Sequence, residues 1–323
     1  MRVLLVNPKS RLPIDTRTSP SLGLAYLAAV SEQRGDEVRL HDGDVEDLPV
    51  TEAVRAFQPA LIGITANTTQ IMSAWREAQA IKAVAPTTPI VLGGPHPTIL
   101  SHESLARPEI DGVVRGEGEA TWRELSERVA AGADWAGVAG LSYRRHGQIV
   151  DEPERPALDL DTLPRPAYHF FKMERYTNLQ PLMDHVSGYS FPIMTSRGCP
   201  YRCSYCSQIM ERRWRMRSPQ HVVDEWEWLV REMGAAEIGV LDDSFNINRQ
   251  RVLEICDLLI QRNLQHVPWI MINGIRANLA DEELLGRMRR AGCVRTAFGV
   301  ESGNQDILDS IIHKHLTLDQ IRA

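Results

Sequence analysis

From residue 2 onward, short apolar runs alternate with longer stretches in which apolar residues recur every three to four positions. That alternation predicts strands of a parallel sheet joined by crossover helices. Arg2–Asn7 (RVLLVN) reads as a buried first strand that Pro8 ends, and Lys9–Ser21 as a loop rich in Pro, Thr and Ser. Leu22–Arg34 follows as a helix with Gly35 placed as its C-terminal cap. Glu37–His41, Leu61–Thr65, Ile90–Leu92 and Gly112–Arg115 supply four more strands, with helices at Gln70–Val84 and Thr121–Ala131. The pattern predicts a flavodoxin-like, doubly wound parallel sheet over residues 1–150, whose ligands sit beyond the carboxyl ends of the strands. The segments at those ends are Asn7-Pro8, Thr65–Thr69, Gly93–Thr98 and Arg115–Glu119. Paired glycines there allow a ligand close to the backbone, although none of these loops is a Gly-x-Gly-x-x-Gly fingerprint.

Leu141–Val150 reads as a small hairpin around His146-Gly147, and Asp151–Tyr168 concentrates Pro and acidic residues as a linker does. The boundary between domains is therefore expected within 151–190. A second alternation follows over 191–323. Strands at Phe191–Thr195, Glu237–Leu241, Trp269–Ile275 and Arg295–Val300 are separated by helices at Ser218–Met233, Arg249–Arg262 and Asp281–Arg290. Polar groups recur where these strands finish: Asp242-Asp243, Arg276 and Glu301-Ser302-Gly303. That is the pattern of a site on the carboxyl rim of a (β/α) barrel. Only about four barrel strands are legible, so the barrel is expected to be truncated, with an open edge.

Composition changes this picture little. A chain of 323 residues with 43% hydrophobic and 24% charged residues is an ordinary globular protein with the length of two domains. No apolar run approaches the ~18 residues of a membrane span, and the first residues are too short a run for a signal peptide. Five cysteines without a secretory signal suit a reducing cytoplasm. A net charge of −6 without a long basic run gives no general nucleic-acid footprint, and the locally basic Glu211–Arg217 reads as a solvated or anion-facing segment.

The candidate chemistry lies in Cys199, Cys203 and Cys206, spaced Cys-x3-Cys-x2-Cys. Thiolates are soft ligands, suited to an iron–sulfur cluster or to zinc. A closed zinc site wants four ligands and a second Cys or His pair, whereas Cys256 and Cys293 are isolated in apolar patterns that read as core. Three thiolates from one loop can hold three corners of a four-iron cube and leave the fourth iron open to another ligand.

Arg197-Gly198-Cys199-Pro200-Tyr201-Arg202-Cys203-Ser204-Tyr205-Cys206-Ser207 resembles the cluster loop of the radical S-adenosylmethionine (radical SAM) superfamily. The resemblance implies a [4Fe-4S] cluster on Cys199, Cys203 and Cys206 whose open iron is chelated by the amino and carboxylate groups of SAM. The reduced cluster then splits the sulfonium to give a 5′-deoxyadenosyl radical. Tyr205 would lie beside the adenine, and Glu301 resembles the fourth-strand acidic residue that contacts the ribose or methionyl part. On the same rim, Asp242 or Asp243 would suit the cationic amino group, and the planar fork of Arg276 the carboxylate. The bland alternative for each is a strand-end charge paired with a neighbour. His313 and His315 read as surface residues.

Thr18-Ser19-Pro20-Ser21-Leu22-Gly23, Leu92–Thr98 and Arg115–Glu119, taken in order, resemble the cobalamin-binding domain that precedes the cluster in many members of the superfamily. The resemblance implies cobalamin contacts at Ser19, Thr65, Thr68, Gly93, Gly94, His96, Gly116, Glu117 and Gly118. The Asp-x-His-x-x-Gly motif of better-known cobalamin domains is absent; Asp184-His185 lacks the intervening residue and lies outside the domain. His96 is therefore not read as a cobalt ligand. The domain either binds cobalamin without a His ligand or serves as a substrate or docking module. Asp159–Pro166 is similar to the connector of cobalamin-type members. The leading expectation is a cobalamin-dependent methyl transfer to an unactivated carbon. Its rivals are radical cyclisation or rearrangement, radical chemistry without cobalamin, and a non-catalytic iron–sulfur or zinc module. Implied partners are a small-molecule or peptide substrate and an external electron donor such as flavodoxin or ferredoxin.

Overall fold

The computed structural model describes residues 1–12, 19–176, 188–207, 209, 210 and 212–322; Thr18, Asp184, His185, Glu211 and part of the 151–190 stretch lie outside the described residues. The chain divides into two compact units, Met1–Leu158 with Leu163–Thr177, and Asp159–Thr162 with Asn178–Ala323.

The first unit is built on strands β1 (Arg2–Asn7), β2 (Glu37–Asp42), β3 (Leu61–Thr65), β4 (Ile90–Gly93) and β5 (Gly112–Val114). Helices α1 (Leu22–Gln33), α2 (Val50–Phe57), α3 (Ile71–Val84), α4 (Pro95–Ile99), α5 (Ser101–Leu105) and α6 (Glu119–Ala130) fill the crossovers. Val3, Leu4, Leu5 and Val6 are all fully buried, as a central parallel strand covered on both faces requires. The strand order is β2-β1-β3-β4-β5, all parallel, so the winding reverses between β1 and β3. The expected doubly wound core is present.

Two features go beyond the sequence reading. The hairpin of β6 (Leu141–Arg145) and β7 (Gln148–Asp151) is not a separate ornament. It extends the sheet antiparallel from β5 to give seven strands, and so covers an edge that would otherwise be open. The stretch expected as linker also folds back onto the first unit. Tyr168, Phe171 and Tyr176 are buried there. Ala167 N–H donates to Ala25 O at 3.0 Å, and Arg175 Nη1 to Val45 O at 2.8 Å. Pro and acidic residues gave this segment the composition of a linker, but its three aromatics make it a strap, each contributing ~1.5–3 kcal/mol by burial.

The second unit carries β8 (Tyr189–Ile193), the two-residue strands β9 (Ser196–Arg197) and β10 (Arg215–Met216), then β11 (Ala235–Val240), β12 (Trp269–Met271) and β13 (Cys293–Arg295). Helices α7 (Pro219–Arg231), α8 (Arg249–Gln261) and α9 (Glu282–Arg290) are capped by the side chains of Ser218, Asn248 and Asp281. The main sheet runs β8-β11-β12-β13, all parallel and in chain order, the winding of a barrel. The fourth strand is shorter than expected: beyond Arg295 only Phe298 pairs, with Ile275. Val294, Phe298 and Val300 are substantially exposed. Their apolar character suggested a longer strand, but one partner strand alone does not hold them flat.

Candidate functional site

In the second unit the chain leaves β8 through Thr195, Ser196 and Arg197, all buried, and enters the cysteine loop at Gly198. β9 pairs antiparallel with β10, Arg197 opposite Arg215 and Ser196 opposite Met216. The loop between them is therefore pinned at its neck. Asp242, at the end of β11, is fully buried beneath that neck and accepts hydrogen bonds from Thr195 N–H, Thr195 Oγ1 and Ser196 Oγ at 2.5–2.6 Å. Arg251 donates to Thr195 O (2.6 Å) and Arg217 O (2.8 Å), and Arg217 pairs with Glu225 at 2.7 Å with both side chains buried. Burial raises the Asp242 carboxyl above its ordinary range, against the opposing pull of Ser196, Thr195 and Arg251.

The three cysteines lie on this loop unpaired, Cys199 and Cys203 half-buried and Cys206 exposed. Burial pushes the Cys199 and Cys206 thiols up; Cys203 and Asp243 also raise Cys206, and Cys206 and Asp243 also raise Cys199. Among the described residues no three His, Cys, Asp or Glu side chains are placed to hold one metal ion. Three thiolates from one loop can each take one iron of a cube, whereas a closed zinc site wants a fourth ligand. Three accessible thiols on a pinned loop thus fit a three-cysteine cluster.

The rim residues divide. Asp243 is exposed beside the loop and takes a hydrogen bond from Gly198 N–H; surrounding protein, then Asp242, raises its carboxyl. Asp242 is a correction: it is enclosed, both oxygens hold the loop neck, and it presents no carboxylate to the rim. Arg276 is likewise committed. Its Nη2 donates to Lys314 O (2.8 Å) and His315 O (3.3 Å), its Nε to Asn278 Oδ1 (3.2 Å), and its guanidinium stacks 3.4 Å from the Tyr201 ring centroid. Its Nε and Nη2 are thus engaged within the chain. Glu301 and Tyr205 are brought together: their side chains hydrogen-bond each other, and Lys314 Nζ lies 2.8 Å from Glu301 Oε1 and 3.4 Å from Tyr205 Oη. Lys314 and Tyr205 hold the Glu301 carboxyl below its ordinary range, and burial followed by Glu301 pushes the Tyr205 phenol up. The sequence reading missed Lys314; its flanking histidines drew attention to the segment but not to the lysine.

In the first unit, Thr65 and Thr68 lie at and just after the end of β3, and Gly93, Gly94 and His96 at the turn from β4 into α4. Gly94 has φ +93°, and a Cβ there would meet Thr65 Oγ1 at 2.8 Å and Ala66 backbone at 3.0 Å, so only glycine closes this turn. His96 is 7% exposed, with Nδ1 3.4 Å from Thr68 Oγ1 and Nε2 3.2 Å from Glu103 Oε2. Both ring nitrogens are engaged within the protein. Gly116, φ +68°, has open space where a Cβ would stand, and its N–H donates to Thr98 Oγ1 at 3.1 Å. Glu117 and Gly118 complete that turn, and Ser19, half-buried, stands ahead of Ser21, whose hydroxyl caps α1. This donor set of hydroxyls, backbone amides and glycine turns at strand ends fits the neutral amide-fringed periphery of a corrin. A second cluster escaped the sequence reading. Asp42 is buried, accepting from Asn7 Nδ2 (3.1 Å) and Tyr176 Oη (2.8 Å), and Gln70 Nε2 donates to Asn7 Oδ1 (3.0 Å). Burial pushes nearby Glu77 up to about 7, aided by Asp42 and Asp44 and opposed by Lys9 N–H. Asn7 was noted only as a strand end; Asp42, Gln70 and Glu77 carry no motif.

Comparison with known proteins bears on both units. The model of the B12 binding domain matches residues 16–126, and that of the radical SAM superfamily residues 193–323. An uncharacterized methyltransferase of Pyrococcus horikoshii is 35% identical over 322 residues, covering 96% of this chain and 68% of that protein. An anaerobic magnesium-protoporphyrin IX monomethyl ester cyclase of Rubrivivax gelatinosus is 34% identical over 333 residues, covering 99% and 59%. The solved structure of the radical SAM methyltransferase TsrM from Kitasatospora setae, with cobalamin and a [4Fe-4S] cluster bound, superposes with a TM-score of 0.80 at 20% identity, covering 99% of this chain and 63% of that one. The chain thus spans about 60–70% of the length of these relatives, and the likeness to TsrM speaks for the fold.

Proposed function

Because the chain belongs to the radical SAM superfamily and carries a B12-binding domain ahead of the cluster loop, we propose that it acts in cobalamin-dependent methyl transfer from SAM to an unactivated carbon. The observation that carries the proposal is the pinned loop of Cys199, Cys203 and Cys206 at the carboxyl end of β8, joined in one chain to a doubly wound unit with glycine turns at its strand ends. In this reading the three cysteines hold a [4Fe-4S] cluster and the first unit holds cobalamin through Ser19, Thr65, Thr68, Gly93, Gly94, Gly116, Glu117 and Gly118. When bound, these groups supply one-electron reduction of SAM and a methyl carrier.

The protein's own residues position and protect. Asp242, Arg251 and the Arg217–Glu225 pair fix the neck from beneath, so the thiols are held without their own side chains bearing the load. Asp243, accessible and adjacent to the loop, offers a carboxylate to the amino group of SAM. Glu301, kept ionised by Lys314, offers acceptor oxygens to ribose hydroxyls, with the Tyr205 ring beside it. His96 packs edge-on to Trp75 and shapes the turn after β4. An external one-electron donor such as flavodoxin or ferredoxin belongs to the same proposal, as does a small-molecule substrate.

Anaerobic reconstitution with iron and sulfide, then dithionite and SAM, tests the reading by following 5′-deoxyadenosine. Cys199→Ala, Cys203→Ala and Cys206→Ala should each abolish it; cleavage surviving in any of them overturns the cluster assignment. Absence of a hydroxocobalamin-binding signal in the visible absorption rejects the corrin. The relation to the Rubrivivax gelatinosus cyclase favours oxidative cyclisation as a second reading. S-adenosylhomocysteine formed alongside 5′-deoxyadenosine marks methyl transfer, and 5′-deoxyadenosine alone marks the second reading.

A further inference from the structure

Lys314 is placed with unusual care. Its side chain is 11% exposed, and a buried ammonium needs a partner. Its partners come from two other parts of the chain: Glu301 Oε1 at 2.8 Å, from the segment after β13, and Tyr205 Oη at 3.4 Å, from the cysteine loop. The main chain around it is fixed from several sides. Lys314 N–H donates to Leu308 O at 2.9 Å, and Arg276 holds the Lys314 and His315 carbonyls. Ser204, between two of the cysteines, donates its N–H to Ile312 O (2.9 Å) and its Oγ to Ile311 O (2.6 Å). Glu301, His313 and His315 have φ of +65°, +54° and +53°, a left-handed conformation that histidine tolerates better than glutamate. Such strain persists only where the surroundings over-determine the backbone. The left-handed Glu301 backbone thus stands at the ion pair, and the two left-handed histidines flank its lysine.

We propose that Lys314 is a positioning residue of the SAM site: it aims the Glu301 carboxylate, and with Tyr205 couples that carboxylate to the cysteine loop. The proposal rests on the reading that this rim binds SAM. Lys314 acts through Glu301, which must stay an acceptor to receive neutral hydroxyl donors. Gly299 belongs to the same arrangement, because a Cβ there would stand 2.7 Å from Glu301 Oε1 and 3.0 Å from Lys314 Nζ.

The experiment uses the anaerobically reconstituted full chain. It measures iron and sulfide content, the electron paramagnetic resonance spectrum of the reduced cluster with and without SAM, and the SAM dissociation constant by equilibrium dialysis. Lys314→Met should retain the wild-type iron content and SAM-free spectrum. It should weaken SAM about tenfold, the loss expected for one charge-assisted hydrogen bond, and shrink the SAM-induced spectral change. Lys314→Arg should restore most of the affinity. In a Glu301→Gln background, adding Lys314→Met should cost no more than about twofold, because the two residues act as one. Gly299→Ala, which removes neither charge, should weaken SAM in the same direction. Wild-type SAM affinity and spectral response in Lys314→Met overturn the proposal. So does a full additional loss in the Glu301→Gln background, or a loss of iron, which would make the lysine a support of the loop alone. If the wild-type protein takes up a cluster but does not bind SAM, the underlying reading falls as well, and that result is distinct from a silent Lys314→Met.

Discussion

Asp242 and Asp243 are adjacent in sequence and equally plausible as ligands from their place at a strand end, yet they face opposite ways. Asp242 is fully buried, with three short hydrogen bonds to the start of the cysteine loop. Asp242→Asn would turn an amide donor toward at least one donor it now accepts from, at a cost of about 1–3 kcal/mol. Urea unfolding should register that loss, and iron uptake by the reconstituted variant should fall with it. Glu77 gives a pH prediction. Its folded carboxyl titrates at about 7 against an ordinary 4.5, so the folded chain holds a proton that the unfolded chain has released. Its stability contribution is greatest below the unfolded value, declines as pH rises between them, and stays reduced above 7. Glu77→Gln should therefore stabilise the protein at pH 8 by up to about 3 kcal/mol and leave it little changed near pH 4.5, as denaturant titrations at the two pH values will show. At this scale the cysteine spacing was legible because cluster chemistry dictates residue type and interval together. Lys314 and Asp242 were not, since a lone lysine or aspartate acquires its meaning from burial.

At the scale of elements, apolar periodicity located the central strands well, because a strand covered on both faces must be apolar throughout. The hairpin was expected and only its pairing to β5 was not, whereas the strap was misjudged because it is peripheral, and periphery is written in few residues. The signal available for the strap was its aromatics, Tyr168, Phe171 and Tyr176, set among prolines. Tyr176→Phe removes the hydroxyl that donates to the buried Asp42 carboxylate at 2.8 Å. It should cost about 1.5–3 kcal/mol, the range for a hydrogen bond to a charged group, and release the strap to limited proteolysis. In the second unit, Glu225→Gln leaves the buried Arg217 without its countercharge. An unfolding cost of about 3–5 kcal/mol is expected for a broken buried pair, measurable by chemical denaturation.

At the scale of the molecule, each unit has its own sheet and its own buried residues. Added cobalamin should stabilise the protein by about 2.7 kcal/mol at a hundredfold excess over its dissociation constant, raising its melting temperature. Hydrogen exchange can localise the effect. The parallel alternation that identified both units was legible because two folds of the same class share one period; how far the fourth strand of the second unit extends was not, since that depends on neighbours. The short β9–β10 ladder has a consequence for how the protein matures. Its two paired residues on each side already bring the ends of the cysteine segment together, with Asp242 locked beneath. Closing that loop costs entropy that grows only slowly with its length, and the ladder and Asp242 help to meet it. Iron delivery can then come late, to a finished polypeptide.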